Sequence, residues 1–149
     1  MTNSLNYELH KLTARLDRAA DRILRELEGI SYSRFLTLFA VKNGAANQRA
    51  LAAWLGQSEP STSRMVRVLT AEGLLEAARI PGEGNSRRLR LTSSGAELVE
   101  RGGRLLDGRF EELLERSGVS RISYQRQTRR LLDQLDADAQ ARGDLPDAA

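Results

Sequence analysis

Pro60, Ser63, Arg64 and Arg67 recur every three or four residues between Ser58 and Gly73. Wound at about 100° per residue, they share one side of a helix. Ser61 stands with them in the first turn. Hydroxyls and guanidiniums near a helix N-terminus can hydrogen-bond phosphate oxygens, and Arg64 could reach either a phosphate or the edge of a guanine. Arg87 and Arg88 form a second basic point further along the chain. Other chemistry is poorly supplied. His10 is the only histidine and there is no cysteine, so a catalytic triad, a His-rich metal site and a thiolate site all lack their residues. Gly82-Glu83-Gly84 lacks the Lys-Ser/Thr of a phosphate loop. The reading is not an enzyme, with no catalytic residues, no metal and no cofactor.

The elements that must position these side chains follow from local signals. A short helix begins at Asn47, a good N-cap, and puts Leu51, Ala52 and Leu55 on one face. Gly56 turns the chain. Ser58 caps a second helix with Pro60 in its first turn, and Gly73 ends it. In that helix Thr62, Met65, Val68 and Leu69 face the core, opposite Ser63, Arg64 and Arg67. Leu74 to Ile80 and Arg87 to Leu91 read as strands joined by Pro81-Gly82-Glu83-Gly84-Asn85. Helix, tight turn, helix and hairpin make a winged helix-turn-helix, whose second helix commonly enters the DNA major groove. Its wing can present only one of Arg87 and Arg88 to DNA, because a strand alternates its side chains.

A chain of 149 residues fits one domain with a sizeable core. The net charge is +3, and its distribution says more than its size. Arg64, Arg67, Arg79, Arg87, Arg88 and Arg90 face only Glu72, Glu76 and Glu83 between Ser61 and Thr92. From Asp133 onward the charged residues are Asp133, Asp136, Asp138, Asp144, Asp147 and Arg142. A basic middle and an acidic end suit a nucleic-acid face at one end of the fold. No apolar run approaches membrane-spanning length and no signal peptide opens the chain, so the expected location is the cytoplasm.

Helical patterns flank the motif on both sides. Leu5, Leu9, Leu12, Leu16, Ala19, Ala20, Ile23 and Leu27 form a stripe that Gly29 interrupts. Ser31 caps a second helix with Phe35, Leu36, Phe39 and Ala40 on its apolar face, ended by Gly44. After the motif, Ser94 and Glu97 have capping-box spacing ahead of Leu98, Leu105, Leu106, Phe110, Leu113 and Leu114. Gly102-Gly103 marks a bend in that helix. A last helix from Ser120 to Asp138 carries Ile122, Leu131, Leu132 and Leu135. The fold class is mainly α with a small β-wing: a winged helix-turn-helix flanked by N- and C-terminal dimerisation helices. Residues 1–30 form the N-terminal dimerisation helix, 31–92 the DNA-binding lobe, 93–139 the C-terminal dimerisation helices and 140–149 a flexible tail. The terminal helices have more apolar surface than a solitary winged helix needs. They pack either against a second copy, as a homodimer, or on each other. Tyr32, Phe35 and Phe39 fall at helical spacing, with Tyr7, His10 and Arg15 able to approach from the first helix. They line either a pocket for a small-molecule effector or plain core.

The blocks SRMVRVLTAEGLLE at 63–76 and LRLTSSGAELVE at 89–100 resemble the MarR family of transcriptional regulators. The order of elements along the whole chain is similar to that family as well. The resemblance implies a homodimer bound to a pseudo-palindromic double-stranded DNA operator, often a repressor released by a small phenolic or other aromatic ligand. Three positions depart from the pattern. The family usually carries Asp where this chain has Arg67, and its wing usually reads Asp-x-Arg where this chain has Glu83 and Asn85. Either Arg87 or Arg88 takes the place of the wing arginine, or the wing binds phosphate alone. The alternative function is a winged helix used for protein contacts, such as an antirepressor, which would want an acidic or apolar outer face.

Overall fold

A computed structural model of the chain describes residues 4–144. Within it the elements run α1 (Leu5–Glu28), α2 (Tyr32–Lys42), α3 (Gln48–Leu55), α4 (Glu59–Ala71), β1 (Leu75–Arg79), β2 (Arg87–Leu91), α5 (Ser93–Ser117) and α6 (Arg121–Arg142). The molecule is thus mainly helical with one antiparallel two-stranded wing. It divides into two compact units, 1–106 and 107–149.

The first unit holds the main core. Leu24 of α1, Leu38 of α2, Leu51 of α3, Leu69 of α4, Leu75 of β1 and Val99 of α5 are fully buried. Each such side chain contributes roughly 1.5–3 kcal/mol relative to leaving it in water. Local chemistry sets where the helices start. Side chains of Ser31, Asn47 and Ser58 accept the backbone N–H of Arg34, Ala50 and Ser61, each capping the helix that follows. Gly56 sits at φ 63°, left-handed backbone that lets α3 turn directly into α4. Two threonines are buried in the helices. Thr37 donates to the Ser33 carbonyl at 2.9 Å and Thr62 to the Ser58 carbonyl at 3.0 Å, so neither hydroxyl is left unpaired.

Several apolar stripes differ in phase from the sequence reading. On α4 the buried residues are Thr62, Val66 and Leu69, whereas Val68 is 37% exposed and Met65 half-buried. Val66 follows Thr62 by one full turn, which brings it back to the core line more closely than Val68. On α2 Leu38 and Val41 join Phe35 and Ala40 in the core, and Leu36 is only half-buried. Leu24 is the buried residue of α1, while Leu27 is exposed. Strand β1 is shorter by one residue at each end than the expected run from Leu74 to Ile80.

The start of α5 is also corrected. Its cap is Thr92, not Ser94: the Thr92 hydroxyl accepts the Gly95 N–H at 3.0 Å and donates to the Gly73 carbonyl at 2.7 Å. One side chain therefore starts α5 and ties it to the turn after α4. Glycines 102 and 103 do not interrupt the helix, which runs continuously from Ser93 to Ser117. Gly102 instead marks a close approach. A Cβ there would lie 2.7 Å from Phe35 Cε2 and 3.2 Å from Leu24 Cδ2.

In the second unit Gly118 separates α5 from α6. Phe110 and Tyr124 pack with ring centroids 6.3 Å apart, and Arg121 pairs with Glu111 at 3.0 Å. The last helix reaches Arg142, past the expected boundary at Asp138, so residues 140–142 of the expected tail are helical. Gly143 caps the helix, and residues 145–149 of that tail lie outside the described residues. Ile122, Leu131, Leu132 and Leu135 of α6 are all exposed, and so are Leu5 and Leu9 of α1. No described helix is long and apolar enough to cross a membrane.

Candidate nucleic-acid interface

The turn from α3 to α4 presents the N-terminal end of α4. Pro60, Arg64 and Arg67 are exposed there, and Ser61 and Ser63 are half-buried. Pro60, Arg64 and Arg67 thus share the open side of the helix, with Ser61 and Ser63 on its two flanks, opposite the side that carries Thr62, Val66 and Leu69. Their hydrogen bonds are specific. The Ser58 hydroxyl donates to Ser61 Oγ at 3.0 Å, and Arg64 Nη2 donates to the same oxygen at 3.3 Å. With two donors on its oxygen, the Ser61 hydroxyl keeps its own proton for an outside acceptor. Arg64 is held one turn from the helix start, its remaining N–H groups free to reach an anion. Glu59 in the first turn supports the helix by countering the positive end of its dipole.

Arg34 is a residue that sequence reasoning missed. From α2 its Nη1 reaches Glu72 Oε1 at 2.6 Å, just past the end of α4. It also lines, with Ser61, Arg64, Met65 and Val68, a shallow cleft of about 260 Å³ beside α4. No local signal marks Arg34, because its partner lies 38 residues away in sequence. The pair adds one half-exposed contact between α2 and the end of α4, while the buried Thr62, Val66 and Leu69 set the direction in which Arg64 and Arg67 point.

The wing is built around a central β2. One edge pairs with β1 in the register Leu75↔Leu91, Ala77↔Leu89 and Arg79↔Arg87. The other edge bridges to Asn47, and the Leu89 N–H donates to the Ala46 carbonyl at 2.8 Å. Leu89 is buried, so alternation places Arg87 on the Leu89 side and Arg88 on the opposite side with Arg90. Arg87 and Arg88 are both exposed and point in opposite directions, as the sequence required.

The aromatic row lies elsewhere. Tyr32, Phe35 and Phe39 stack along α2 with centroids 6.5 and 6.1 Å apart, and Phe39 meets Trp54 of α3 at 6.2 Å. Phe35 is 4% exposed and wedged against Gly102, which is a core position. Burial and the nearby Asp17 carboxylate push the Tyr32 phenol above its ordinary pKa. Its backbone N–H donates to Asp21 Oδ1 at 2.9 Å; that bond, with Arg25, holds the Asp21 carboxyl below its ordinary value. Tyr7, His10 and Arg15 are exposed on α1, and Tyr7 carries the Lys11 ammonium over its ring at 6.0 Å. Among the described residues no hydrogen bond, ion pair or ring contact joins these three to the aromatic row. No group of three described His, Cys, Asp or Glu side chains is placed to hold a metal ion.

Comparison with known proteins bears on the fold. The MarR family model matches residues 28–84. No curated protein matches. Among solved structures, a mutant MarR from E. coli superposes with a TM-score of 0.75 at 20% identity, covering 91% of this chain and 98% of that one. A mutant MarR from E. coli complexed with operator DNA gives 0.72 at 20% identity, over 88% and 92% of the two chains. The S. aureus MepR–DNA complex gives 0.68 at 21% identity, over 90% and 96%. At these identities the likeness is one of fold. The two blocks that carry the resemblance also gain a physical reason: Thr92 of the second donates to the Gly73 and Leu74 carbonyls in the first, and Gly95 leaves room for that close approach. Residues 28–84, from the end of α1 through the helix-turn-helix and β1 to the wing tip, match the MarR family model, in a chain whose fold is that of the E. coli MarR structures.

Proposed function

We propose that the chain is a dimeric, sequence-specific DNA-binding regulator of transcription, and specifically a repressor. The observation that carries this reading is the composition of α4. Its open side is hydroxyl and guanidinium, anchored to the core by Thr62, Val66 and Leu69. A face for protein contacts would want apolar or acidic groups where Arg64 and Arg67 stand. Solved proteins of the same fold include complexes with DNA. Arg64 and Arg67 are the groups assigned to bases and phosphates, with Pro60, Ser61 and Ser63 at the phosphate-facing helix start.

The dimer rests on α1 and α6. Leu131 and Leu135 are 60% and 62% exposed, one turn apart on α6. A second copy is the partner that would cover them and give two recognition helices in one symmetric unit. Relief by a small aromatic effector is part of the same reading. Tyr32 and Phe39, half-buried, are the members of the row still open to a ligand, whereas the core takes up Phe35.

The experiment is a binding titration of the full chain on duplex DNA from upstream of its own gene, with random-sequence duplex as competitor. The reading expects a preference of about a thousandfold or more for one segment. Equal binding to all duplexes, or none, would overturn it.

A further inference from the structure

The register of the wing juxtaposes two cations that the function so far leaves unused as a pair. Arg79 is the last residue of β1 and Arg87 the first of β2, and they lie directly opposite each other. Directly opposed residues of an antiparallel pair hold their Cβ atoms about 4.5–5.5 Å apart on one face, and like charges there are destabilising. Both side chains are exposed, and among the described residues neither has a carboxylate in salt-bridge range. The opposite face of the hairpin is balanced differently, for Arg90 there stands directly across from Glu76. Nor does the loop separate the two arginines. It is drawn tight by Ile80 N–H to the Ser86 carbonyl at 3.2 Å and Ser86 N–H to the Glu83 carbonyl at 3.1 Å. The tip holds Glu83 and Asn85 and no basic side chain.

We propose that Arg79 and Arg87 together clamp one backbone phosphate of the bound duplex, and that this pair, not Arg88, is the DNA contact of the wing. The inference rests on the DNA-binding reading above and adds to it Arg79 as a contact residue. Two guanidinium forks presented side by side match the oxygens of a phosphate. A phosphate between them also removes the repulsion that the free wing carries.

Binding of the full chain to a random-sequence duplex of about three helical turns, followed across salt concentration, tests the clamp. Arg79→Ala together with Arg87→Ala should flatten the log–log salt slope by about 0.9 for each phosphate no longer neutralised, which corresponds to about fivefold weaker binding per phosphate at about 0.15 M salt. Arg79→Ala alone should weaken binding but leave Arg87 on the phosphate. Arg79→Lys should keep the slope and still weaken binding, because it keeps the charge and loses the fork. The double variant should weaken binding by more than the product of the two single effects, because in each single variant the remaining arginine still holds the phosphate. The thermal midpoint of free Arg79→Ala protein should equal or exceed that of wild type. Arg88→Ala and Arg90→Ala should keep the wild-type slope. If wild type binds and Arg79→Ala binds as tightly as wild type, or the double variant matches Arg87→Ala alone, the clamp is wrong and the DNA-binding reading survives. If Arg88→Ala alone flattens the slope, the wing residue on DNA is Arg88 and the clamp is overturned. If wild type binds no duplex, the DNA-binding reading itself falls, and the clamp with it.

Discussion

Alanine placed in turn at Gly103, Gly102 and Gly95 should give three different stabilities from one chemical change. All three glycines belong to α5. Replacing a helical glycine by alanine is worth about 0.5–1 kcal/mol of backbone entropy. At Gly103 the new methyl meets nothing within 4 Å, so that gain should appear in full. At Gly102 it would lie 2.7 and 3.1 Å from two carbons of the Phe35 ring and 3.2 Å from Leu24 Cδ2. Overpacking of this kind costs about 1–3 kcal/mol, leaving a net loss of about 0–2.5 kcal/mol. At Gly95 the clash is with backbone: the methyl would fall 2.0 Å from the Leu74 carbonyl oxygen. That oxygen accepts the Thr92 N–H at 3.2 Å, so moving it breaks the joint between α4, the wing and α5. A net loss of about 3 kcal/mol or more is expected there. For a chain of this size each kcal/mol moves the midpoint by about 2–4 °C. Thermal unfolding at matched protein concentration should therefore rank Gly103→Ala above wild type, Gly102→Ala at or below it, and Gly95→Ala lowest. Gly102→Ala as stable as Gly103→Ala would refute the tight packing on Phe35. A Gly95→Ala variant no worse than Gly102→Ala would refute the seating of α5 on the Leu74 backbone.

Three further outcomes follow from the same structure. Arg64→Ala should weaken binding to the preferred DNA by about 1–3 kcal/mol and relax preference at one base pair, read by titration on single-base variants. Replacing Leu131 and Leu135 together with Glu should turn the chain monomeric in sedimentation; an intact dimer would move the interface away from α6. Asp21 titrates below its ordinary value of 3.8, mainly through the Tyr32 N–H. Its contribution is present above the unfolded pKa and disappears as pH falls through the depressed folded one. The stability deficit of Asp21→Asn should therefore be constant near neutrality and shrink on acidification, and a deficit that ignores pH would point to poorer packing instead.

The parts legible in the sequence were those set by local chemistry. Asn47, Gly56 and Ser58 mark the helix-turn-helix because caps and tight turns depend on residues within one turn of each other. Alternation alone placed Arg87 and Arg88 on opposite sides of the wing. The phase of buried faces was less legible. Val66 and Val68 differ by about 200° around α4 at about 100° per residue, yet neighbours in other elements decide which one is covered. The cap at Thr92 was hidden because Ser94 offered a plausible local alternative, and the deciding partner, the Gly73 carbonyl, lies in another element. Arg34 and Arg79 were invisible for a related reason. Their roles rest on an ion pair across 38 residues and on a strand register, and neither is written in local spacing.

How the chain sits on DNA is the central question. Hydroxyl-radical footprinting of the full chain on the upstream segment it prefers is the most direct measurement. A dimer that lays one α4 into each of two major grooves should protect two patches about one helical turn apart, roughly 10–10.5 base pairs centre to centre, related by a two-fold axis. Arg64→Ala should weaken both patches together. One unpaired patch, or protection that Arg64→Ala leaves unchanged, would contradict a symmetric dimer reading DNA through α4.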